Sequence, residues 1–220
     1  MRSLFVFTCL LLFASNLFAQ GSHEYAPLQQ QTINYKDWSL KSVAGDQKIN
    51  LRDWSKDKKL VLVVYFASWC PNWHNEASVV ARLYNKYKDQ GFGVVAVSEY
   101  GSVDDARAFF GKLGAPYPVV VESESRDARE KTDHFLYRKA TGDKRNWGSP
   151  YNVFLEPAKF TTDDKLIEQT WIVNGELIED SAEDFIREKL GLAKIERKTA
   201  TNSAASNTDK NCPAVATAKP

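Results

Sequence analysis

The chain has 220 residues, 43% hydrophobic, 12% aromatic and 26% charged, enough to bury one sizeable core or two small ones and unlike a fully disordered chain. Its formal net charge of +1, from 29 Lys and Arg against 28 Asp and Glu, argues against nucleic acid as the main partner, because phosphate binding needs a basic surplus. Three cysteines are too few for a disulfide-stapled scaffold, and the histidines at 23, 74 and 134 form no paired metal-ligand pattern.

Residues 1–19 have the pattern of a secretory signal peptide. Arg2 supplies the positive start, Leu4 to Ala14 the apolar run, and Ala19 a small residue before Gln20. That run is shorter than the roughly 20 residues of a spanning helix. Cleavage would remove Cys9, leave basic and acidic residues equal in number, and place the chain in an oxidising periplasmic or extracellular setting with Cys70 and Cys212. No other apolar stretch is long enough for stable membrane insertion.

Residues 20–37 are polar, carry Gln29-Gln30-Gln31, and are expected to form a flexible leader. The folded domain is expected over 38–192. Trp38 to Val43 and Lys48 to Leu51 flank Gly45-Asp46 and predict a β-hairpin. Leu60 to Phe66 is a continuous apolar run suited to a strand covered on both faces. From near Cys70 to Tyr87, Trp73, Ala77, Val80, Tyr84 and Tyr87 make one helical stripe. Gly93 to Ser98 is a second buried strand. Ser102 caps a helix closed by Gly114, and Tyr117 to Glu122 is a third strand. Helical material over 126–139 and a loop over 142–147 follow. Strands are expected at Tyr151 to Glu156 and Leu166 to Val173, with a tight turn at Asn174-Gly175. Ser181 caps a last helix ended by Gly191. Residues 193–220 are rich in Ala, Thr, Ser, Asn and Lys, lack aromatics, and are expected to be a disordered tail. Alternating strands and helices predict an α/β fold, a mixed central sheet with helices on both faces.

The segment Tyr65-Phe66-Ala67-Ser68-Trp69-Cys70-Pro71 runs a buried strand into A-S-W-C-P at a helix start. It resembles the active-site signature of the thioredoxin-like superfamily. With the leading hairpin, the export pattern and Glu76, it is similar to the secreted TlpA/ResA branch. Ser149-Pro150, before a strand, resembles the cis-proline loop of that family. The resemblance covers about 38–192 and implies a thioredoxin fold and thiol-disulfide exchange on protein thiols. The family motif is W-C-x-x-C, and Trp73 stands where the second, resolving cysteine belongs. The family proline after the Glu is also replaced, by Ala77-Ser78.

A thiol attacks a disulfide as thiolate, and a helix N-terminus favours that anion. Cys70, followed by Pro71 at a natural first-turn position on an exposed rim, is the candidate nucleophile; the competing reading is a buried, inert thiol. Without a resolving partner, Cys70 acts as a monothiol released by a low-molecular-weight thiol, a membrane reductant or a second protein, or it is a relic in a groove that only binds. Cys212, on a tether with a span of ~25 Å, is a candidate resolving thiol or a tail thiol without a role. His74, on the same helix face as Cys70, either assists ionisation or is a solvated position. By the resemblance, Glu76 tunes proton transfer; the plain alternative is a first-turn acid complementing the helix dipole. Trp69 is a rim aromatic and docking contact, and Trp73 a space filler. A cis Pro150 would expose backbone for an incoming extended peptide. The charged segment from Arg126 to Trp147 is either a rim of that groove or a solvated connection. Cys70 and His74 are two soft ligands, which do not complete a metal site, and no metal or other cofactor is expected. A peroxiredoxin reading lacks the P-x-x-x-T-x-x-C spacing. Three functions stand, in this order: a monothiol oxidoreductase, a redox-inactive module that binds extended protein segments or a maturation partner, and last a small metal-handling protein.

Overall fold

A computed structural model describes residues 23–163 and 165–196; the signal-like segment, Cys9 and Cys212 lie outside the described residues. In chain order the elements are β1 (Tyr25–Ala26), β2 (Gln29–Lys36), β3 (Ser39–Ser42), β4 (Lys48–Asn50), α1 (Leu51–Trp54), β5 (Leu60–Phe66), α2 (Pro71–Tyr87), β6 (Phe92–Ser98), α3 (Val103–Phe110), β7 (Val119–Val121), α4 (Asp133–Ala140), β8 (Tyr151–Leu155), β9 (Lys165–Val173), β10 (Glu176–Leu177) and α5 (Glu179–Leu190).

Eight strands form one mixed sheet in the order β2-β9-β8-β5-β6-β7-β3-β4. β5, β6 and β7 are parallel, joined by α2 and α3, as parallel neighbours require a crossover. β8 and β9 add antiparallel to β5 and to each other, and β3 adds antiparallel to β7. Every residue of β5 is buried, and its side chains alternate between two cores. Leu60, Leu62, Val64 and Phe66 join Val80, Leu83, Phe185 and Ile186, beneath α2 and α5. Val61, Val63 and Tyr65 join Leu51, Tyr137 and Ile33 on the other face, beneath α1 and α4. The fold is thus α/β, with helices on both faces of a central mixed sheet.

Local chemistry sets the helix ends. Cys70 is the N-cap of α2 and Pro71 its first residue. Ser102 and Asp105 form a capping box at α3, and Gly191 closes α5 in the left-handed conformation.

Several elements differ from the sequence reading. The expected flexible leader carries β1 and β2. β2 is a sheet edge paired with β9, held by Ile33 and Tyr35, whose burial outweighs its polar outer face. The hairpin β3-β4 forms, at the opposite edge beside β7. Helix α3 ends at Phe110, because Gly111 (φ +65°) stops it before Gly114. The helical span 126–139 is broken at Thr132, which ends a 3-10 turn over Arg126–Lys131 and caps α4. After Asn174-Gly175, β10 pairs in parallel with β1. α5 begins at Glu179, with Ser181 inside it, because Ile178 occupies the N-cap.

Candidate active site

The C-terminal ends of β5 and β6, the start of α2 and the loop before β8 converge on Cys70. The turn from β5 into α2 is closed by the Cys70 N–H donating to the Ala67 carbonyl at 2.9 Å. The Ser149–Pro150 peptide is cis. This loop is tied to the turn twice: the Ala67 N–H donates to Ser149 Oγ at 2.8 Å, and Cys70 Sγ donates to the Ser149 carbonyl at 3.1 Å. Cys70 is only 8% exposed, which corrects the expectation of an open rim, because the proline loop folds over the helix start.

The carbonyls of the proline loop are engaged from within the chain. Gly148 O accepts from His134 Nε2 at 3.2 Å, Ser149 O from the thiol, and Pro150 O from Arg145 Nη2 at 3.0 Å. The backbone edge expected to receive a peptide therefore offers each of these acceptors only through its second lone pair. His134 also accepts from the Tyr100 hydroxyl at 2.9 Å and stacks on Tyr65, with centroids 5.0 Å apart. Burial holds its imidazole well below the usual range, so it is neutral.

Trp69 and Pro71 flank the thiol. The Trp69 indole N–H donates to Tyr100 O at 3.1 Å, and its ring meets Trp147 edge-on at 5.4 Å. Tyr100 holds a left-handed backbone (φ 61°), a costly conformation for an aromatic residue, and it places that carbonyl toward Trp69. Pro71 is exposed at the first turn.

His74 does not meet the thiol. Its side chain turns back to Ser68 O at 2.7 Å and packs edge-on against Phe109 at 4.8 Å, so it braces the turn. Glu76 is neither a solvated first-turn acid nor a neighbour bonded to Cys70. It is 1% exposed, and its Oε2 accepts from Leu177 N–H at 2.5 Å and from Asn152 Nδ2 at 3.3 Å, while Oε1 has no partner. Burial pushes its carboxyl up to about 8, against the lowering pull of these bonds. Trp73, 0% exposed, fills the core against Phe66 at 4.6 Å, with its indole N–H unpartnered.

The sequence reading missed Tyr100, Gly148, Asn152 and Arg145. Gly148 left a signal by standing directly before Ser149-Pro150, and Arg145 by lying in the charged segment 126–147; Tyr100 and Asn152 left none. Among the described residues no cluster of His, Cys, Asp and Glu has the arrangement of a metal site.

Residues 33–140 match the AhpC/TSA family. The chain is 28% identical over 110 residues to the thiol-disulfide oxidoreductase ResA of Halalkalibacterium halodurans, covering 50% of this chain and 58% of that protein. It is 29% identical over 132 residues to the thioredoxin-like protein YneN of Bacillus subtilis, covering 59% of this chain and 63% of that one. The chain thus spans less than two thirds of these relatives. Among solved structures, it is similar to a thiol:disulfide interchange protein of the thioredoxin family from Chlorobium tepidum (TM-score 0.53, 16% identity, 74% of this chain and 98% of that one). It is also similar to a secreted thiol-disulfide isomerase from Corynebacterium glutamicum (TM-score 0.53, 17% identity, 71% and 85%). The chain has a thioredoxin fold, and over residues 33–140 it is similar to the AhpC/TSA family.

Proposed function

We propose that the protein is an extracytoplasmic thiol-disulfide oxidoreductase acting on protein thiols through a single active-site thiol, Cys70. The observation that carries this reading is the seat of the sulfur: the N-cap of α2, 3.1 Å from the carbonyl that precedes the cis Pro150. Unpaired N–H groups at the helix start favour the thiolate there.

As thiolate, Cys70 attacks one sulfur of a client disulfide. A Cys70–client disulfide forms as the client's own S–S bond breaks, and the released client thiolate takes a proton. Trp73 brings no sulfur, so the thiolate of a second molecule, small thiol or protein, attacks the mixed disulfide. Cys70 returns as thiolate and the client leaves in a new disulfide, with no net change in oxidation. Trp69, Pro71, Ser149 and Pro150 shape the approach. His74 and Glu76 are positioning residues, His74 through the Ser68 carbonyl and Glu76 through Asn152 and β10. Cys212 remains the candidate intramolecular resolving thiol. The extracytoplasmic setting is supported by the pattern of residues 1–19, and among the described residues no helix is long and apolar enough to cross a membrane.

A second reading, a redox-inactive module binding extended segments, is favoured by the burial of Cys70 and by Trp73 in the resolving position. Disulfide exchange on a glutathionylated protein by wild type and Cys70→Ser separates the two. The oxidoreductase loses turnover with the sulfur; equal turnover leaves only the binding module.

A further inference from the structure

We propose that Arg126 is a specificity residue of this site, which selects client polypeptides carrying a carboxylate beside the attacked sulfur. The inference rests on Cys70 being the exchanging thiol. Trp69 directly precedes Cys70, is locked to Tyr100 O, and abuts Trp147. The Arg126 guanidinium lies over the Trp69 ring at 4.1 Å and reaches Trp147 at 5.6 Å. Among the described residues it makes these ring contacts and no ion pair, although Arg126 itself is exposed. A guanidinium held by a ring face keeps its planar fork of N–H donors for a carboxylate.

Its neighbour is different. Arg129, 5.3 Å from Trp147, is already engaged by Glu130 at 3.1 Å and by Asn146. The proline-loop carbonyls, which would read any peptide alike, already accept from His134, Cys70 and Arg145. Recognition therefore shifts from backbone pairing to the side chains of the rim, where the unpaired charge is Arg126.

The test uses the full chain and two peptides, each with one cysteine joined by a disulfide to 2-mercaptoethanol. One peptide flanks that cysteine with Glu, the other with Gln. Cys70 attack on the peptide sulfur forms the Cys70–peptide disulfide and releases 2-mercaptoethanol as thiolate, which the buffer protonates. The rate is the part lost in Cys70→Ser. Wild type is expected to react about tenfold faster with the Glu peptide at low salt, with the preference shrinking as salt rises. Arg126→Gln removes the preference and Arg129→Gln retains it. No preference in wild type, persistence in Arg126→Gln, or equal loss in Arg129→Gln would overturn the proposal. So would a carboxylate preference seen only for oxidised glutathione over its ethyl ester. If neither peptide reacts, the thiol assignment has failed, and Arg126 is read separately in the Cys70→Ser protein. There, peptides with Ser in place of Cys are titrated while the Trp69 and Trp147 indole N–H resonances are followed. A Glu-dependent shift abolished by Arg126→Gln upholds recognition; its absence overturns it.

Discussion

The thiol of Cys70 and the carbonyl of Ser149 are hydrogen-bonded at 3.1 Å, joining the start of α2 to the loop before β8. To react, the sulfur must leave that carbonyl and present its small exposed edge. Iodoacetamide is therefore expected to modify Cys70 in the native chain completely, but roughly tenfold or more slowly than in the urea-unfolded chain. Mass spectrometry of the Cys70 peptide over time measures this. A native sulfur that stays unmodified rules out its role as nucleophile.

Trp73, three residues after Cys70, is a fully buried core residue. It packs on Phe66, and on Phe109 at 5.7 Å. Trp73→Cys empties most of an indole's volume from the core and is expected to cost about 3–5 kcal/mol in urea unfolding. It also supplies an intramolecular thiol three residues after Cys70, so a Cys70 mixed disulfide that accumulates in wild type should not accumulate in the variant. Intact-mass measurement after adding glutathione disulfide decides the second point.

Glu76 and His134 set opposite pH slopes. The folded Glu76 holds its proton up to about 8, whereas a solvated glutamate gives it up near 4.5, so the native state binds the extra proton in between and stability falls as pH rises. His134 stays neutral in the fold, while the unfolded imidazole protonates below about 6.5, so its contribution is lost as pH falls below that value. The slopes oppose each other below about 6.5. Between 6.5 and 8 the Glu76 fall stands, at up to ~1.4 kcal/mol per pH unit. Glu99, raised well above its usual range by burial and by Glu122, adds to the fall. Glu76→Gln should flatten unfolding free energy over this window, and an unchanged slope would show that Glu76 is already ionised in the fold.

Gly148 carries two constraints that Gly142 does not share. Both have positive φ, +57° and +73°, but a Cβ at 148 would lie 1.7 Å from Arg138 Nε, whereas Gly142 faces open space. That guanidinium is buried and bonded to Asp143 and to Arg145 O, so it has nowhere to go. Gly148→Ala should cost more than ~3 kcal/mol and slow Cys70 exchange by loosening the Ser149 loop. Gly142→Ala should cost about 1 kcal/mol. Equal costs in thermal unfolding would remove the steric argument.

The central strands and α2 were legible in the sequence because each carries its own period: a continuous apolar run for β5, a helical stripe for α2, and Pro71 at the helix start. β2 was not. Its inner face shows only Ile33 and Tyr35 as buried anchors, and a polar edge strand looks like a leader until β9 is beside it. The same holds for the site residues. Glu76 sits among charged and polar neighbours in sequence, and only its meeting with Asn152 and Leu177, 76 and 101 positions away, makes it a buried acid.

What this sequence determined by itself is the order of the central strands β5, β6 and β7 with the helices between them and the placing of one cysteine at a helix start, since both follow from local periodicity and backbone restriction. Tertiary structure decided how far that sulfur is covered, which carbonyls remain open beside it, and which cation stands unpaired at its rim. Those properties arise only when segments distant in the chain meet, Arg126 over the Trp69 ring and Ser149 against Ala67 and Cys70.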